Sequence, residues 1–342
     1  MLISNEYMKN FWQKIKEKSY SPFFCLAPMV DVTDTAFRQV IAKYSRHGKS
    51  GGGPDVFWTE FASADGIASE KGRSKVLRLL KYSKKEKPII AQIFGSKPEN
   101  ITKACQIISK LGFDGIDINM GCPVRDVVSQ GSCSALIKTP SLAREIIHAA
   151  KKGAPKLPVS VKTRLGYTYP EEYKKWIPEI LREDISALTI HLRTRKEMSS
   201  VPAHWELAKD IVKVARSVNE NVVLIANGDV VSLEDGERKA KESGFDGLMI
   251  GRGIFGNPWF FDEKRKATPT IKEKLRVLIE HTKLFEKLIK YRNFAVMKKH
   301  FKAYVSGFDG AKELRVELMA TNSPKEVVKV TNSFLKGTLD KK

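Results

Sequence analysis

Between residues 23 and 253 the chain alternates between two hydrophobic patterns. Short, continuously apolar runs are separated by stretches in which apolar residues return every three or four positions. The runs are FFCLAPM, DVFWTE, PIIAQIF, GIDINMG, PVSVKTR, ALTIHLR, NVVLIANGD and GLMIGRG. Continuous rather than alternating apolarity is expected of strands covered on both faces, so the pattern predicts eight parallel strands. The stretches between them carry helical spacing. Ser96-Lys97-Pro98-Glu99 reads as a capping box ahead of Ile101, Cys105 and Ile108, with a stop at Gly112. Leu142, Ile146 and Ala150 repeat the spacing and end at Gly153, and Ser232 to Gly244 repeats it again.

Eight strand–helix units over roughly 240 residues match an α/β fold of the (β/α)8, or TIM-barrel, type. A doubly wound sheet is the competing architecture, but it would place a glycine fingerprint after the first strand, and APMVDVTD has none. LGFDGIDI and SGFDGLMI open the fourth and eighth strands alike, a faint half-barrel repeat that ordinary helix-to-strand turns also explain. The insert HGKSGGGPD (residues 47–55) reads as a flexible loop. After the aromatic patch Pro258-Trp259-Phe260-Phe261 the segment EKRKATPT reads as a linker. Helices follow, one ending near Gly307 and one starting at Ser323-Pro324, with proline at the first helical position. The expected organisation is an extension (1–20), a barrel (21–264) and a small C-terminal helical domain (265–342).

Charge adds a functional clue. Sixty Lys and Arg against 39 Asp and Glu give a formal net charge of +21. From Glu263 to Lys342 there are 20 basic and nine acidic residues, so more than half the excess lies on the tail. Clustered Lys and Arg suit a polyanionic partner, although solvated helix faces of a lysine-biased protein would look similar. Four cysteines (Cys25, Cys105, Cys122, Cys133) without Cys-x-x-Cys spacing or a histidine cluster argue against a metal site and a disulfide framework. The first 20 residues lack the apolar core of a signal peptide, and no apolar run reaches membrane-spanning length. A soluble, cytoplasmic protein without a membrane partner is expected. The oligomeric state is not legible, and a monomer is the working expectation.

In a barrel of this kind chemistry gathers at the C-terminal ends of the strands. Those ends supply Pro28-Met29, Glu60, Gln92, Asn119 with Cys122, Lys162 with Arg164, His191 with Arg193 and Arg195, Asn227-Gly228-Asp229, and Gly251-Arg252-Gly253. A barrel with no ligand has no reason to finish five strands in Gln, Asn, Lys, His and Asn. The last two ends are glycine turns that would let backbone N–H groups approach a phosphate, with Arg252 adding charge. Cys122, between Gly121 and Pro123 at a strand end, is a candidate reactive thiol; taken alone, a small buried hydrophobe is the commoner fate of a free cysteine.

The ordered set APMVDVTD, TEFASA, AQIFG, INMGCPVRDVVSQGSCSALI, VKTR, HLRTR, NGD and IGRG resembles the tRNA-dihydrouridine synthases over residues 23–262, and MKKHFKAYVSGFDGAKELR is similar to their helical domain. That resemblance implies FMN as cofactor, NADPH as reductant and tRNA as partner. It implies that Pro28 and Met29 flank the flavin ring, that Gln92 bonds its polar edge, and that Asn119 fixes the base or that edge. Lys162 would sit near N1 and His191 beside the ring. Asn227, Gly228, Asp229, Gly251 and Arg252 would hold the phosphate, Cys122 would be the catalytic acid, and Glu60, Arg193, Arg195 and Lys196 would contact the substrate. Reduction of the uracil C5–C6 bond needs hydride at C6 and a proton at C5. A thiol near its unperturbed pKa of about 8.5 is mostly protonated at neutral pH and can give that proton.

Two positions depart from the family pattern. Leu192 replaces a usual glycine and is expected to narrow the space beside His191, and Cys133 stands where a small residue is common. Two rival functions share these features. One is an FMN barrel acting on a free pyrimidine or enone, the other an RNA-binding protein without catalysis.

Overall fold

Every expected run forms a strand, and the strands are parallel. The computed structural model describes residues 11–18 and 22–339, so the predicted extension at 1–20 lies outside it except for 11–18. The strands are β1 (Phe23–Leu26), β2 (Phe57–Trp58), β3 (Ala62–Ser63), β4 (Ile89–Phe94), β5 (Gly115–Asn119), β6 (Val159–Arg164), β7 (Ala187–His191), β8 (Val223–Asn227) and β9 (Gly247–Ile250). The run expected as one second strand is broken. β2 and β3 both pair with β4; between them Thr59 still donates its N–H to the Ile90 carbonyl at 3.0 Å, but its hydroxyl accepts the Gln92 N–H at 3.1 Å.

Strand order is β1-β9-β8-β7-β6-β5-β4-β2. A bridge between Cys25 and Val56 and a Leu26 N–H to Val56 carbonyl bond of 3.1 Å close the ring between β1 and β2. The architecture is an eight-unit α/β barrel. Register sets Gln92 opposite Asp117, Asn119 opposite Lys162, and His191 opposite Asn227. Side chains two apart on a strand share a face, so these residues line the barrel interior toward the C-terminal ends.

Outside the ring lie helices at the expected places, including Pro98–Ile108, Pro140–Gly153 and Leu233–Ser243. The last starts on Ser232, whose hydroxyl accepts the Asp235 N–H, and stops at Gly244 in the left-handed conformation. Pro98–Ile108 lacks the predicted capping box: Ser96 turns away and donates its hydroxyl to the Gln130 carbonyl at 3.0 Å.

The opposite end of the barrel is stoppered. The helix Phe11–Lys18 sends Trp12, 0 % exposed, among Phe23, Val56, Trp58, Ala187 and Val223. Its ring lies 5.5 Å from that of Trp58 and 6.3 Å from that of Phe23. Lys16 adds an ion pair with Asp246 at 2.9 Å. This plug is a finding that the sequence pattern did not announce.

By compactness the chain divides into two units whose borders differ from the expected cut at 264. The first holds the described residues up to Met29, Pro54–Tyr82 and Lys87–Gly251, and contains the strands. The second holds Val30–Gly53, Ser83–Glu86 and the chain from Arg252 onward. Helix Thr35–Tyr44 belongs with the tail because Ala36 and Val40 share a core with Leu275, Leu278, Phe285, Met297 and Phe301. Lys43 and Tyr44 both reach Glu280 at 2.7 Å, and the buried Arg38–Glu86 pair (2.5 Å) ties the short Ser83–Glu86 segment in. The 47–55 insert is wound rather than loose: Gly53 N–H bonds Ser45, and a side chain at Gly52 would meet the Arg46 carbonyl at 2.2 Å.

Candidate active site

Five strand ends converge on one polar layer. Gln92 Nε2 donates to Asp117 Oδ2 at 2.7 Å, and Ser160 Oγ donates to Asp117 Oδ1 at 2.6 Å. Asn119 Nδ2 donates to Gln92 Oε1 at 3.0 Å. Lys162 Nζ donates to Asn227 Oδ1 at 3.0 Å, and Asn227 Nδ2 to the Met249 carbonyl at 2.8 Å. Each amide is therefore locked in one orientation by its neighbours, so the layer is preformed.

Asp117, buried in mid-strand, was not among the sequence candidates. Burial pushes its carboxyl up to about 6, against the pull of Gln92, Ser160 and Lys162. Burial and the nearby Arg164 lower Lys162 to about 8, while Asp117 and Cys122 hold its charge in place. Of the three ammonium protons one goes to Asn227, leaving two for a ligand.

Asn119 also builds the turn that follows it. Its Oδ1 accepts the N–H groups of Gly121 (3.0 Å) and Cys122 (2.9 Å), an Asx turn that fixes the thiol-bearing residue. The fit at Gly121 is tight: a β-carbon would stand 3.1 Å from the Thr163 carbonyl carbon. Arg164, a strand-end residue given no role from the sequence, holds the turn from beneath. Its Nε donates to the Gly121 carbonyl at 2.7 Å and its Nη1 to the Thr194 and Met198 carbonyls at 3.0 and 2.9 Å. Cys122 is partly exposed and free. A hydrogen bond from the Cys133 thiol, the Val124 N–H, Arg164 and Lys162 outweigh burial and bring it down to about 7. The unperturbed value expected from the sequence thus does not apply.

At the end of β7 and β8 the structure reassigns two expectations. Arg193 is 2 % exposed, so it is not a rim residue. Its guanidinium pairs with Asp229, donates to the Val201 carbonyl at 2.6 Å and approaches His191 Nε2 at 3.1 Å. A guanidinium can only donate, so His191 Nε2 accepts and the ring is neutral, with its proton on Nδ1. Asp229 takes the Ala203 N–H at 2.9 Å in addition to Arg193. A carboxylate so engaged fixes the β7 and β8 loops and is a poor phosphate partner. Gly228, at φ +132°, is forced by space as well: a β-carbon would meet that of Ala203 at 2.9 Å. Leu192 follows the end of β7 and is fully buried.

Pro28 and Met29 follow β1 and are half-buried, and Met29 Sδ lies 3.7 Å from where a β-carbon on Gly251 would stand. Arg252 is exposed and begins the second unit. Glu60, expected to contact the substrate, is 1 % exposed. Lys196 is exposed and Arg195 half-buried. Arg195 stacks on the Tyr167 ring at 5.2 Å, and Lys138 lies over the same ring at 4.3 Å. The loop carrying Tyr167 is pinned by Glu172, whose carboxylate accepts the N–H groups of residues 167, 168 and 169. Neither Tyr167 nor Lys138 was singled out from the sequence, where an aromatic in a polar loop has no signal of its own.

A preformed amide–lysine layer beneath a held thiol, on this barrel, can be set against known proteins. The family model for dihydrouridine synthase matches residues 25–338. The chain belongs to the dihydrouridine synthase family. Among curated relatives, a probable tRNA-dihydrouridine synthase 2 of Bacillus subtilis (strain 168) is 44 % identical over 334 residues, covering 97 % of this chain and 98 % of the relative. A probable tRNA-dihydrouridine synthase of Staphylococcus aureus (strain MRSA252) is 44 % identical over 328 residues, with 95 % and 96 % covered. Among solved structures, histamine dehydrogenase from Rhizobium sp. 4-9 superposes with a TM-score of 0.54 at 12 % identity, covering 76 % of this chain and 48 % of that one. At that identity the match speaks for the barrel alone. Among the described residues no helix is long and apolar enough to cross a membrane, and no group of three or more His, Cys, Asp or Glu could hold a metal ion.

Proposed function

We propose that this dihydrouridine synthase family member reduces the C5–C6 double bond of uridines in tRNA, with FMN as cofactor, NADPH as reductant and Cys122 as proton donor. The observation that carries the reading is the Asn119 side chain, which both joins the polar layer and clamps the Cys122 turn. One residue thus links the surface suited to a flavin with the thiol suited to a uracil.

The residues fit the cofactor. Lys162 keeps two protons for an electron-rich ring edge, Gln92 and Asn119 present oriented amides, and the Gly251 turn leaves space beside Met29. Lys162, Gln92 and Asn119 would hold the ring edge, His191 and Met29 its surroundings, and the Gly228 and Gly251 turns the phosphate end. When bound, FMN supplies the hydride that enters the base at C6.

Cys122 then gives its proton to C5. The thiolate left behind is held by the Cys133 thiol, the Val124 N–H, Arg164 and Lys162, which makes Cys122 a stronger acid than an ordinary thiol. The uridine must leave its stack to enter, and the basic rim at Arg195 and Lys196, with Tyr167 as a flat ring between cations, suits the strand around it. Basic residues of the tail supply phosphate contacts.

Replacing Cys122 by Ala tests the reading. The variant is expected to stay folded and yellow and to be reduced by NADPH, yet to form less than about one hundredth of the wild-type dihydrouridine, the lower end of what general acids contribute. Wild-type turnover in that variant would remove Cys122 from the reaction.

A further inference from the structure

Cys122 has a second sulfur beside it. Cys133 is 0 % exposed, and its thiol is close enough to that of Cys122 for each to shift the other's ionisation. Two bonds hold the backbones together at this point: Ser134 Oγ and Ser134 N–H both donate to the Cys122 carbonyl, at 2.8 and 3.4 Å. Cys133 also sits at φ +55°, in the left-handed region. A β-carbon there costs about 1–2 kcal/mol, and glycine would adopt the same backbone freely. The chain thus keeps a thiol, against backbone preference, at the place that meets Cys122. The other two cysteines lie elsewhere in the core, Cys25 on β1 and Cys105 in the helix Pro98–Ile108, so Cys133 is the partner within reach.

We propose that Cys122 and Cys133 are a reversible thiol–disulfide pair through which a hydroperoxide turns the site off. The Cys122 thiolate attacks the peroxide O–O bond; an S–O bond forms, the O–O bond breaks, and the departing oxygen takes a proton to leave as alcohol or water. Cys133 then loses its proton and attacks the Cys122 sulfur, forming the S–S bond and expelling the sulfenic oxygen as water. Two thiols give up two electrons and the peroxide accepts them, so the step balances. Its interaction with the Cys122 thiolate, then burial, pushes the Cys133 thiol up, so it resists ionisation while Cys122 is anionic. Formation of the sulfenic acid removes that anion and frees Cys133 to react. A dithiol reductant reverses the bond.

The disulfide does not depend on the proposed reaction; only its effect on turnover rests on that reading. The test is peptide mapping of the full-length protein after one equivalent of hydrogen peroxide, with free thiols alkylated at once. The expected product is a Cys122–Cys133 cross-linked peptide, with free thiols falling from four to two and returning to four with dithiothreitol. Cys133→Gly, matched to the backbone, and Cys133→Ser, matched in size, should both lose the cross-link. In both, one equivalent should leave Cys122 as sulfenic acid, and a second should carry it on to sulfinic acid, which dithiothreitol does not restore. The proposal is overturned if oxidised wild type carries sulfenic or sulfinic Cys122 beside alkylated Cys133, or if Cys122 is linked only between chains. Loss of dihydrouridine formation that tracks the cross-link would join the switch to the proposed activity, whereas a mapped cross-link without such loss would leave the pair intact and count against that activity.

Discussion

A general acid must be protonated at the moment it is needed and must tolerate the charge it leaves behind. Cys122, brought down to about 7 chiefly by its bond from Cys133, meets both conditions near neutral pH. Only the thiol can give a proton, so single-turnover dihydrouridine formation by pre-reduced enzyme should be highest below pH 7 and fall on an alkaline limb with its midpoint near 7. In Cys133→Gly, where that donor is gone, the limb should move to higher pH. A limb still centred near 7 in both proteins would detach Cys133 from the acid. Sequence reading placed Gln92, Asn119, Cys122, Lys162, His191 and Asn227 at the mouth because strand ends are countable. It misassigned Arg193 and Asp229 because a loop arginine and a loop aspartate look available until each is seen to occupy the other. Asp117 escaped notice because mid-strand position in GIDIN says nothing about whether a carboxylate faces the barrel axis.

Among elements, helix Phe11–Lys18 closes one end of the barrel through Trp12. Eight residues are too few to persist as a helix alone, so its order must come from Trp12 and its neighbours. Trp12→Ala should lower stability by about 3–5 kcal/mol, the range for emptying a large buried aromatic site, read as a shift of the urea midpoint at unchanged slope. If the midpoint holds, the stopper is dispensable. The helix was illegible in the sequence because a run this short shows barely two turns of periodicity, and its charged residues hid the one side chain that matters. The strands were legible because each is a continuous apolar block. Even there, the split between β2 and β3 was not legible in the pattern.

For the whole molecule, the two compact units and the net charge of +21 bear on how activity should be dissected. Removing residues 265–342 would strip the core from helix Thr35–Tyr44, so loss of activity in such a fragment would report misfolding rather than lost contacts. Charge reversal of exposed tail lysines is the cleaner probe. Lys302, Lys325 and Lys329 are exposed. If the tail neutralises phosphates, wild-type tRNA affinity should fall steeply with salt. Each reversal at a true contact should then flatten the log–log slope by about one. A slope identical in the triple variant and wild type would place tRNA binding on other residues. The charge surplus was legible from composition, but the assignment of Val30–Gly53 to the tail's unit was not, because it arises from packing between segments more than 200 residues apart.

Because the proposed chemistry lies at one rim of the cylinder and Trp12 corks the other, the two ends answer to different demands. Heat tolerance can therefore be raised at the cork, by enlarging or tightening what surrounds that indole, without altering a single group that meets a reacting atom. A catalyst engineered from this chain would best accept its changes there.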